Sequence, residues 1–246
     1  MKIKIEFIKN HKGFYMNLGL CPESVLKKLF YLIIILLFLN IFGLILKFYF
    51  DHDYIYGLVP LFDFDTEKNI PTFYSAVALL FASSLLFFIT IVRKNNGLAY
   101  LGWLGLAVVF LFLSIDEITS LHERLIRPIR ETLGTSGLLF SAWVIPYGLA
   151  VLFFAAVYFK FLMRLPRRVM FLFVVSGGIY VSGALGLELL EGYHYDQHGE
   201  IDLTFSIFYT IEEFLEMLGV ALFIYGILTY MVTEFDSFTI TLNKPD

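Results

Sequence analysis

The sequence has little charge and almost no cysteine, and it lacks the motifs of several common enzyme classes. Only 16% of its 246 residues are charged, whereas soluble domains carry about a quarter. No segment matches a nucleotide-binding loop, a Gly-x-Ser-x-Gly elbow or a His-Glu-x-x-His zinc-protease helix. The single cysteine, Cys21, excludes an intramolecular disulfide and an all-cysteine metal site. We expect neither a soluble domain nor a nucleic-acid partner.

Hydrophobic residues dominate instead, at 59% of the chain with a mean hydropathy of +0.77. A bilayer-spanning helix needs about 20 mostly apolar residues. The chain holds six such runs, at about 29–50, 71–92, 98–123, 138–162, 169–191 and 205–232. The third is expected to stay helical until Pro128 stops it. The sequence therefore predicts an all-α fold, a polytopic transmembrane bundle of six spans in one domain over 29–233, between an N-terminal segment, 1–28, and a tail, 234–246.

Lysine and arginine predict the orientation, because short cytoplasmic loops carry most of them. They concentrate in the N-terminal segment and in the second-to-third and fourth-to-fifth loops, whereas the loops at 51–67 and 196–202 are acidic. Both termini are therefore expected to be cytoplasmic, in a multi-pass protein of the inner membrane surrounded by lipid. The third-to-fourth loop, with Arg124, Arg127 and Arg130, is the exception. No cleavable signal is expected, because residues 1–28 lack an apolar core.

Acidic residues interrupt the apolar runs near their outer ends. At about 1.5 Å per residue from the cytoplasmic end, Asp116 lies about 27 Å up its helix, Glu188 about 30 Å and Glu216 about 26 Å. These heights reach the outer edge of a hydrocarbon core about 30 Å thick. Helical spacing places further acids on the same faces, namely Glu123, Glu191, Glu212 and Glu213. We expect Asp116, Glu188 and Glu216 to face one another.

The fifth span carries Gly178, Ser182 and Gly186 at four-residue intervals. Small residues at this spacing let membrane helices approach closely. The pattern predicts that this face packs against a neighbouring span and brings the acids together.

A carboxylate at such depth is costly unless it is protonated, paired or bound to a cation. His122 and His194 lie within two turns of the acids, and mixed histidine and carboxylate ligands suit zinc, iron or manganese. His122 lies about 120° from Asp116 on a helical wheel, so it joins a shared site only if the helix end unwinds. The predicted metal ligands are Asp116, His122, Glu123, Glu188, Glu191, His194, Glu212, Glu213 and Glu216. In the alternative interpretation no metal binds, and the acids reach water just above the hydrocarbon core. This interpretation explains Glu216 least well.

A second acidic group lies in the first outer loop, where Asp63, Asp65, Glu67 and Asn69 alternate. The spacing is similar to the start of a calcium loop, but Lys68 stands where an EF-hand needs glycine. Two interpretations remain open, a solvated loop and a lid over the intramembrane site.

Three segments carry a resemblance to a protein family: DTEKNIPTFYS, FLSIDEITSLHERL and IEEFLEMLG. They resemble stretches of an uncharacterised family of bacterial multi-pass membrane proteins with six helices and no known activity. The resemblance covers about the central four-fifths of the chain and implies the six-helix architecture. It directs attention to Glu67, Asn69, Asp116, Glu117, His122, Glu123, Glu212, Glu213 and Glu216.

Three functional hypotheses follow, and the sequence leaves open whether the protein is an enzyme. The first is an outward-opening carboxylate and histidine site that binds a divalent cation and activates water against a lipid or envelope substrate. The second is a proton- or cation-coupled transporter or channel component that uses Glu188 and Glu216. The third is a non-catalytic assembly subunit. The cytoplasmic halves of the spans carry almost no ionisable residues, which argues against the second.

Overall fold

The fold is a bundle of α-helices, seen in a computed structural model that describes residues 5–10, 13–18, 21–235 and 240–241. Nine α-helices are present in this part of the chain: α1 (Pro22–Tyr49), α2 (Leu58–Phe62), α3 (Ile70–Asn95), α4 (Leu101–Thr119), α5 (Leu121–Leu133), α6 (Val144–Leu162), α7 (Arg167–Val181), α8 (Glu188–His198) and α9 (Leu203–Glu234). A π-helical segment, Ser182–Leu187, joins α7 to α8 without a break.

Six helices in the described ranges are long and apolar enough to cross a membrane. They are α1, α3, α4, α6, the continuous helix Arg167–His198 and α9. Large apolar side chains such as Phe38, Phe153 and Phe171 are exposed along them, which is compatible with contact with lipid. The chain is therefore a membrane-embedded protein, as its hydropathy predicts.

The third span ends earlier than expected. Helix α4 stops at Thr119, Ser120 takes a left-handed conformation with φ 48° and ψ 48°, and a separate helix α5 follows. Pro128 lies inside α5, so the expectation that it ends the helix is wrong. A left-handed residue redirects the chain because it cannot continue a right-handed helix. The fourth span also begins later than predicted, since α6 starts at Val144.

Helix α9 lies at the centre of the bundle and packs against α1, α3 and the α7–α8 helix. Trp103 of α4 is 2% exposed and contacts the rings of Phe173 and Tyr230. Helix α6 is peripheral, and the hydroxyl of its Tyr158 donates a hydrogen bond to the carbonyl of Gly102 at 3.1 Å. The interior between these helices is therefore filled by large apolar and aromatic side chains.

The close contact between α7–α8 and α9 uses different glycines from those predicted. A Cβ on Gly219 would lie 2.8 Å from Tyr180 Cβ, and a Cβ on Gly183 would lie 2.8 Å from the carbonyl oxygen of Glu212. A Cβ on Gly178 or Gly186 would meet no atom within 4 Å. The predicted packing face is therefore wrong. The π-helical segment changes the helical phase between these positions, which a regular four-residue spacing does not anticipate.

Three short strands lie outside the spans: β1 (Ile5–Asn10), β2 (Gly13–Leu18) and β3 (Ile240–Thr241). They form an antiparallel sheet in the order β1-β2-β3, with Tyr15 opposite Thr241. The all-α prediction thus holds for the six spans but not for these strands.

Candidate functional site: a carboxylate cluster at one end of the bundle

Acidic side chains from four parts of the chain converge at the end of the bundle where α4 ends and α9 begins. We call six of them the carboxylate cluster: Glu117 of α4, Glu188 and Glu191 of α8, and Glu212, Glu213 and Glu216 of α9. Their charges interact across the helices, for example between Glu117 and Glu216 and between Glu188 and Glu212. No member forms an ion pair with lysine, arginine or histidine in the described part of the chain.

Glu191 and Glu212 form the most buried pair in the cluster, with exposed fractions of 6% and 8%. Their carboxyl groups hydrogen-bond to each other. The remaining oxygens, Glu191 Oε1 and Glu212 Oε2, are buried and have no hydrogen-bond partner among the described residues. Buried polar atoms are normally satisfied, so these two carboxyl oxygens are available to a proton or to a ligand.

Glu216 lies one turn further into the bundle, where Tyr180 of α7 hydrogen-bonds to its carboxyl group. Glu213 and Glu117 interact with it from the same helix and from α4. These three glutamates are half-buried as whole residues, although desolvation acts on their carboxyl groups as it does on the Glu191–Glu212 pair. The helical stripe predicted for α9, which runs from Tyr209 through Glu216 to Gly219, does face the interior.

The loop before α3 folds down onto the cluster. Asp63 Oδ1 accepts a hydrogen bond from the Tyr209 hydroxyl at 2.9 Å, and Lys47 Nζ lies 3.8 Å from Asp63 Oδ2. Buried Asn40 accepts a hydrogen bond from the backbone N–H of Phe64 at 3.0 Å and donates one to Thr210 at 2.9 Å. These contacts hold residues 63–69 in place. They favour the interpretation of this segment as a cover on the cluster rather than as a freely solvated loop.

Asn69 has a structural role in this loop. Its side chain caps α3 by accepting a hydrogen bond from the Thr72 N–H at 3.1 Å, and its amide donates to the carbonyl of Asp63 at 2.6 Å. An asparagine at the N-cap satisfies backbone donors that a helix start leaves free. The segment runs through turns and bends, so the predicted extended alternation is not present.

Two acids of the loop extend the cluster toward its rim. Asp65 is exposed as a whole residue, but desolvation of its carboxyl group, followed by the neighbouring charge of Asp63, raises its pKa to about 6. Desolvation and the charge of Glu123 raise the pKa of Glu67, against a hydrogen bond from Ser120. Glu67 Oε2 is buried without a partner among the described residues. The loop therefore contributes negative charge, although Glu67 was not among the predicted ligands.

Asp116 points away from the centre of the cluster. Its Oδ2 accepts a hydrogen bond from the Tyr147 hydroxyl at 2.9 Å, and its Oδ1 accepts one from the backbone N–H of His122 at 3.0 Å. His122 Nδ1 lies 3.4 Å from Asp116 Oδ2. Helix α4 ends before His122. The sequence predicted that His122 could approach Asp116 only if the helix end unwound, and this condition is met. Glu117, rather than Asp116, faces Glu213 and Glu216. The structure therefore corrects the prediction that Asp116 and Glu216 face one another.

The groups around His122 shift the pKa of its imidazole ring. Burial lowers its pKa, but the hydrogen bond and charge of Asp116, together with Glu123 and Glu188, raise the pKa above its ordinary value. The centre of its ring lies 4.8 Å from that of Trp143, with the two ring planes tilted by 52°. The acids around His122 therefore favour its protonated form at the rim of the cluster.

His194 lies at the outer margin of α8. Its Nε2 is 2.9 Å from Asp202 Oδ1, and its ring stacks on His198 at 4.2 Å. Asp202 is the N-cap of α9 and accepts a hydrogen bond from the Phe205 N–H at 2.9 Å. These contacts connect α8 to the start of α9. His194 is therefore paired with Asp202, outside the carboxylate cluster.

Glu188 and Glu123 connect the rim with the interior. Ser141 and Trp143, in the segment before α6, hydrogen-bond to the carboxyl group of Glu188. Glu123 is exposed and interacts electrostatically with Glu188 and Glu67. Within the described ranges no three histidine, cysteine, aspartate or glutamate residues are arranged to hold a metal ion. The donors are gathered, but their present side-chain positions do not form a coordination shell.

A family model for a domain of unknown function, DUF8692, matches residues 29–231. The chain belongs to this family. No curated protein and no solved structure matches it. The match covers four spans in full, most of α1 and α9, and the whole carboxylate cluster, and it agrees with the resemblance to an uncharacterised family.

Within the DUF8692 chain, sequence reasoning left Glu117 out of the predicted ligands, although the family resemblance directed attention to it, and it overlooked Tyr180. Glu117 interrupts the same apolar run as Asp116, so its presence was a usable signal. Tyr180 lies among apolar residues of α7 and nothing in its local sequence marks it. Only the packing of α7 on α9 brings its hydroxyl to Glu216.

Proposed function

We propose that the carboxylate cluster binds a divalent cation that enters from the acidic end of the bundle. The observation that carries this proposal is the Glu191–Glu212 pair, in which two buried carboxyl groups contact each other and leave two oxygens unpartnered. Around the pair lie four more glutamates without a basic ion-pair partner among the described residues. Such a concentration of buried negative charge requires protons or a cation to offset it.

Two carboxyl groups hydrogen-bond to each other only when they share a proton. The shared proton leaves the pair with a single negative charge. A divalent cation that binds both carboxylates displaces this proton, so the doubly negative pair is balanced by two positive charges. Cation binding is therefore coupled to proton release and becomes tighter as the pH rises.

The donor set favours a hard cation. His122 pairs with Asp116 and His194 pairs with Asp202, which leaves carboxylate oxygens as the available ligands. Oxygen ligands suit Mn²⁺, Mg²⁺ and Ca²⁺ better than zinc. Among the metals that the sequence predicted, manganese is retained. The half-buried Glu188 and Glu216 are the side chains expected to rotate and complete the shell.

Transport across the membrane has less support. Below the cluster the bundle is filled by apolar residues such as Leu86, Phe173 and Ile224. A relay of protons or ions needs ionisable or hydrated groups across this layer. Hydrolysis of a lipid or envelope substrate depends on the cation and remains a prediction that follows from it.

The test is a titration of the full chain, purified in mild detergent and stripped with chelator. Mn²⁺ should raise the thermal unfolding temperature of the parent, because a bound ligand stabilises the native state by about 2.7 kcal/mol at 100 times its dissociation constant. Electron paramagnetic resonance should detect bound Mn²⁺. Addition of Mn²⁺ to a weakly buffered sample should release protons.

Glu212→Gln is the informative variant. The amide still donates a hydrogen bond to Glu191, so folding in chelator should be preserved while the response to Mn²⁺ is largely lost. Glu200→Gln, in the exposed loop at the same end, is the matched control and should respond like the parent. The proposal fails if Mn²⁺, Mg²⁺ and Ca²⁺ leave the parent unchanged, or if Glu212→Gln responds as the parent does.

A further inference from the structure

Helix α5 (Leu121–Leu133) is an amphipathic helix that the bundle covers only in part. None of its residues is fully buried, although the ring of His122 lies against Trp143. Leu121 and Leu125 are each 37% exposed, and Leu133 is 59% exposed. With Ile129 these leucines repeat at four-residue intervals, which places them along one side of the helix. The opposite side carries Arg124, Arg127 and Arg130. An exposed apolar stripe of this kind needs a partner other than water.

The position of α5 indicates what that partner is. The helix starts directly after the span α4 and is followed, after a short segment, by the span α6. Its 13 residues extend about 20 Å, which is too short to cross a hydrocarbon core of about 30 Å. A helix with one apolar and one basic side at the end of a span lies in the plane of the membrane interface.

The arginines differ in how they are engaged. The guanidinium of Arg130 lies 3.6 Å from the centre of the Phe140 ring, and its Nε donates to the Phe140 carbonyl at 2.9 Å. Arg127 pairs only with exposed Glu131. Arg124 is exposed and has no hydrogen bond or ion pair among the described residues. Arg130 thus anchors the helix, while Arg124 and Arg127 are exposed to an approaching anion, with Glu131 as the acidic partner that Arg127 would exchange.

We propose that α5 lies at the membrane interface and that Arg124 and Arg127 bind the phosphate of an anionic phospholipid headgroup. The leucine stripe enters the upper acyl region, and the basic side meets the headgroups. This also explains why the third-to-fourth loop departs from the charge distribution of the other loops on that side. The inference holds whether or not the carboxylate cluster binds a cation.

The first experiment measures lipid preference. The full chain is placed in nanodiscs of phosphatidylcholine with phosphatidylglycerol, and the association of spin-labelled phosphatidylglycerol and phosphatidylcholine is compared. The parent should prefer phosphatidylglycerol, and the double variant Arg124→Gln, Arg127→Gln should lose about fivefold of that preference for each arginine. The double variant Arg164→Gln, Arg167→Gln, at the opposite end of the bundle, is the control and should keep the preference. An unchanged preference in the first variant, or an equal loss in the control, overturns the headgroup assignment.

The second experiment measures depth, in a Cys21→Ser background that carries a fluorescent label on Leu125→Cys or on Arg127→Cys. The label at 125 should be quenched by lipids brominated on the acyl chain and protected from iodide, and the label at 127 should show the opposite pattern. Iodide quenching of both labels to the same extent would show that α5 stands in water or docks a soluble partner, and would overturn the interfacial placement.

Discussion

Asp116 and Glu117 are adjacent in the chain but take different surroundings. Asp116 accepts hydrogen bonds from Tyr147 and His122, whereas Glu117 turns toward Glu213 and Glu216. Neighbouring residues on an α-helix project about 100° apart, so only one of two adjacent acids can face a given partner. Depth counting placed Asp116 near the outer end of the third predicted span. It did not determine which of them enters the cluster.

The histidines show a similar limit at the scale of single residues. Both lie close to acids in the sequence, and both do pair with an acid in the structure, His122 with Asp116 and His194 with Asp202. Neither partner belongs to the carboxylate cluster. Proximity in sequence therefore predicted that the histidines lie near acids, but not which acid each contacts, because the break at Ser120 and the rotation of α8 decide the partner.

Asp65 makes the stability of the protein depend on pH in a defined direction. Its pKa is about 6 in the folded protein, above the value of about 4 expected in an unfolded chain. A carboxyl group whose pKa rises on folding adds stability below its unfolded pKa and loses that contribution as the pH rises through the folded pKa. In chelator, the parent should therefore lose thermal stability relative to Asp65→Asn between about pH 4 and pH 7.

Thermal unfolding of both proteins across this range checks the prediction. Asp53→Asn, an exposed acid at the same end of the bundle, serves as the control and should follow the parent curve. Parallel curves for Asp65→Asn and the parent would contradict the assigned environment of Asp65.

At the scale of elements, two local irregularities determine the site. Ser120 ends α4 in a left-handed conformation and releases α5 to the side. The π-helical segment Ser182–Leu187 shifts the phase of the fifth span so that Gly183 faces α9. A π-turn adds a residue to a helical turn and rotates everything beyond it, and such segments are frequent at functional sites.

The glycines of this contact give a prediction with an internal control. Gly219→Ala should destabilise the protein by about 1–3 kcal/mol, because the added Cβ would meet the backbone of α7, with Ser176 O at 2.9 Å. Gly186→Ala should be neutral or stabilising by up to about 1 kcal/mol, since no atom lies within 4 Å of the added Cβ and alanine favours helix. Thermal unfolding in detergent distinguishes them, and an equal loss in both variants would contradict the packing.

At the scale of the whole molecule, acidic side chains lie at one end of the bundle and arginines of the spans at the other. The acids gather where α4 ends and α9 begins, while Arg93 bonds to Tyr230 and Arg168 bonds to Tyr225 at the other end. Large apolar residues fill the layer between them. Such a division fits a site that is open to one side of a membrane.

The orientation of the bundle is still a prediction from its lysines and arginines. A reporter enzyme that is active only outside the cytoplasm should give no signal when fused after residue 246. The same reporter inserted after Gly199, between α8 and α9, should be active. The reverse pattern would place the carboxylate cluster on the cytoplasmic side and overturn the predicted topology.

The sequence alone determined that the chain is membrane-embedded, how many spans it has and at which end its acids gather. These properties depend on hydropathy and on distance along a helix, which are local and additive. The tertiary structure decided which acids meet, since the Glu191–Glu212 pair, the Tyr180 contact to Glu216 and the close approach at Gly219 depend on helix rotation and packing. A π-turn or a single left-handed residue changes rotation without changing hydropathy, so apolar periodicity carries no record of it.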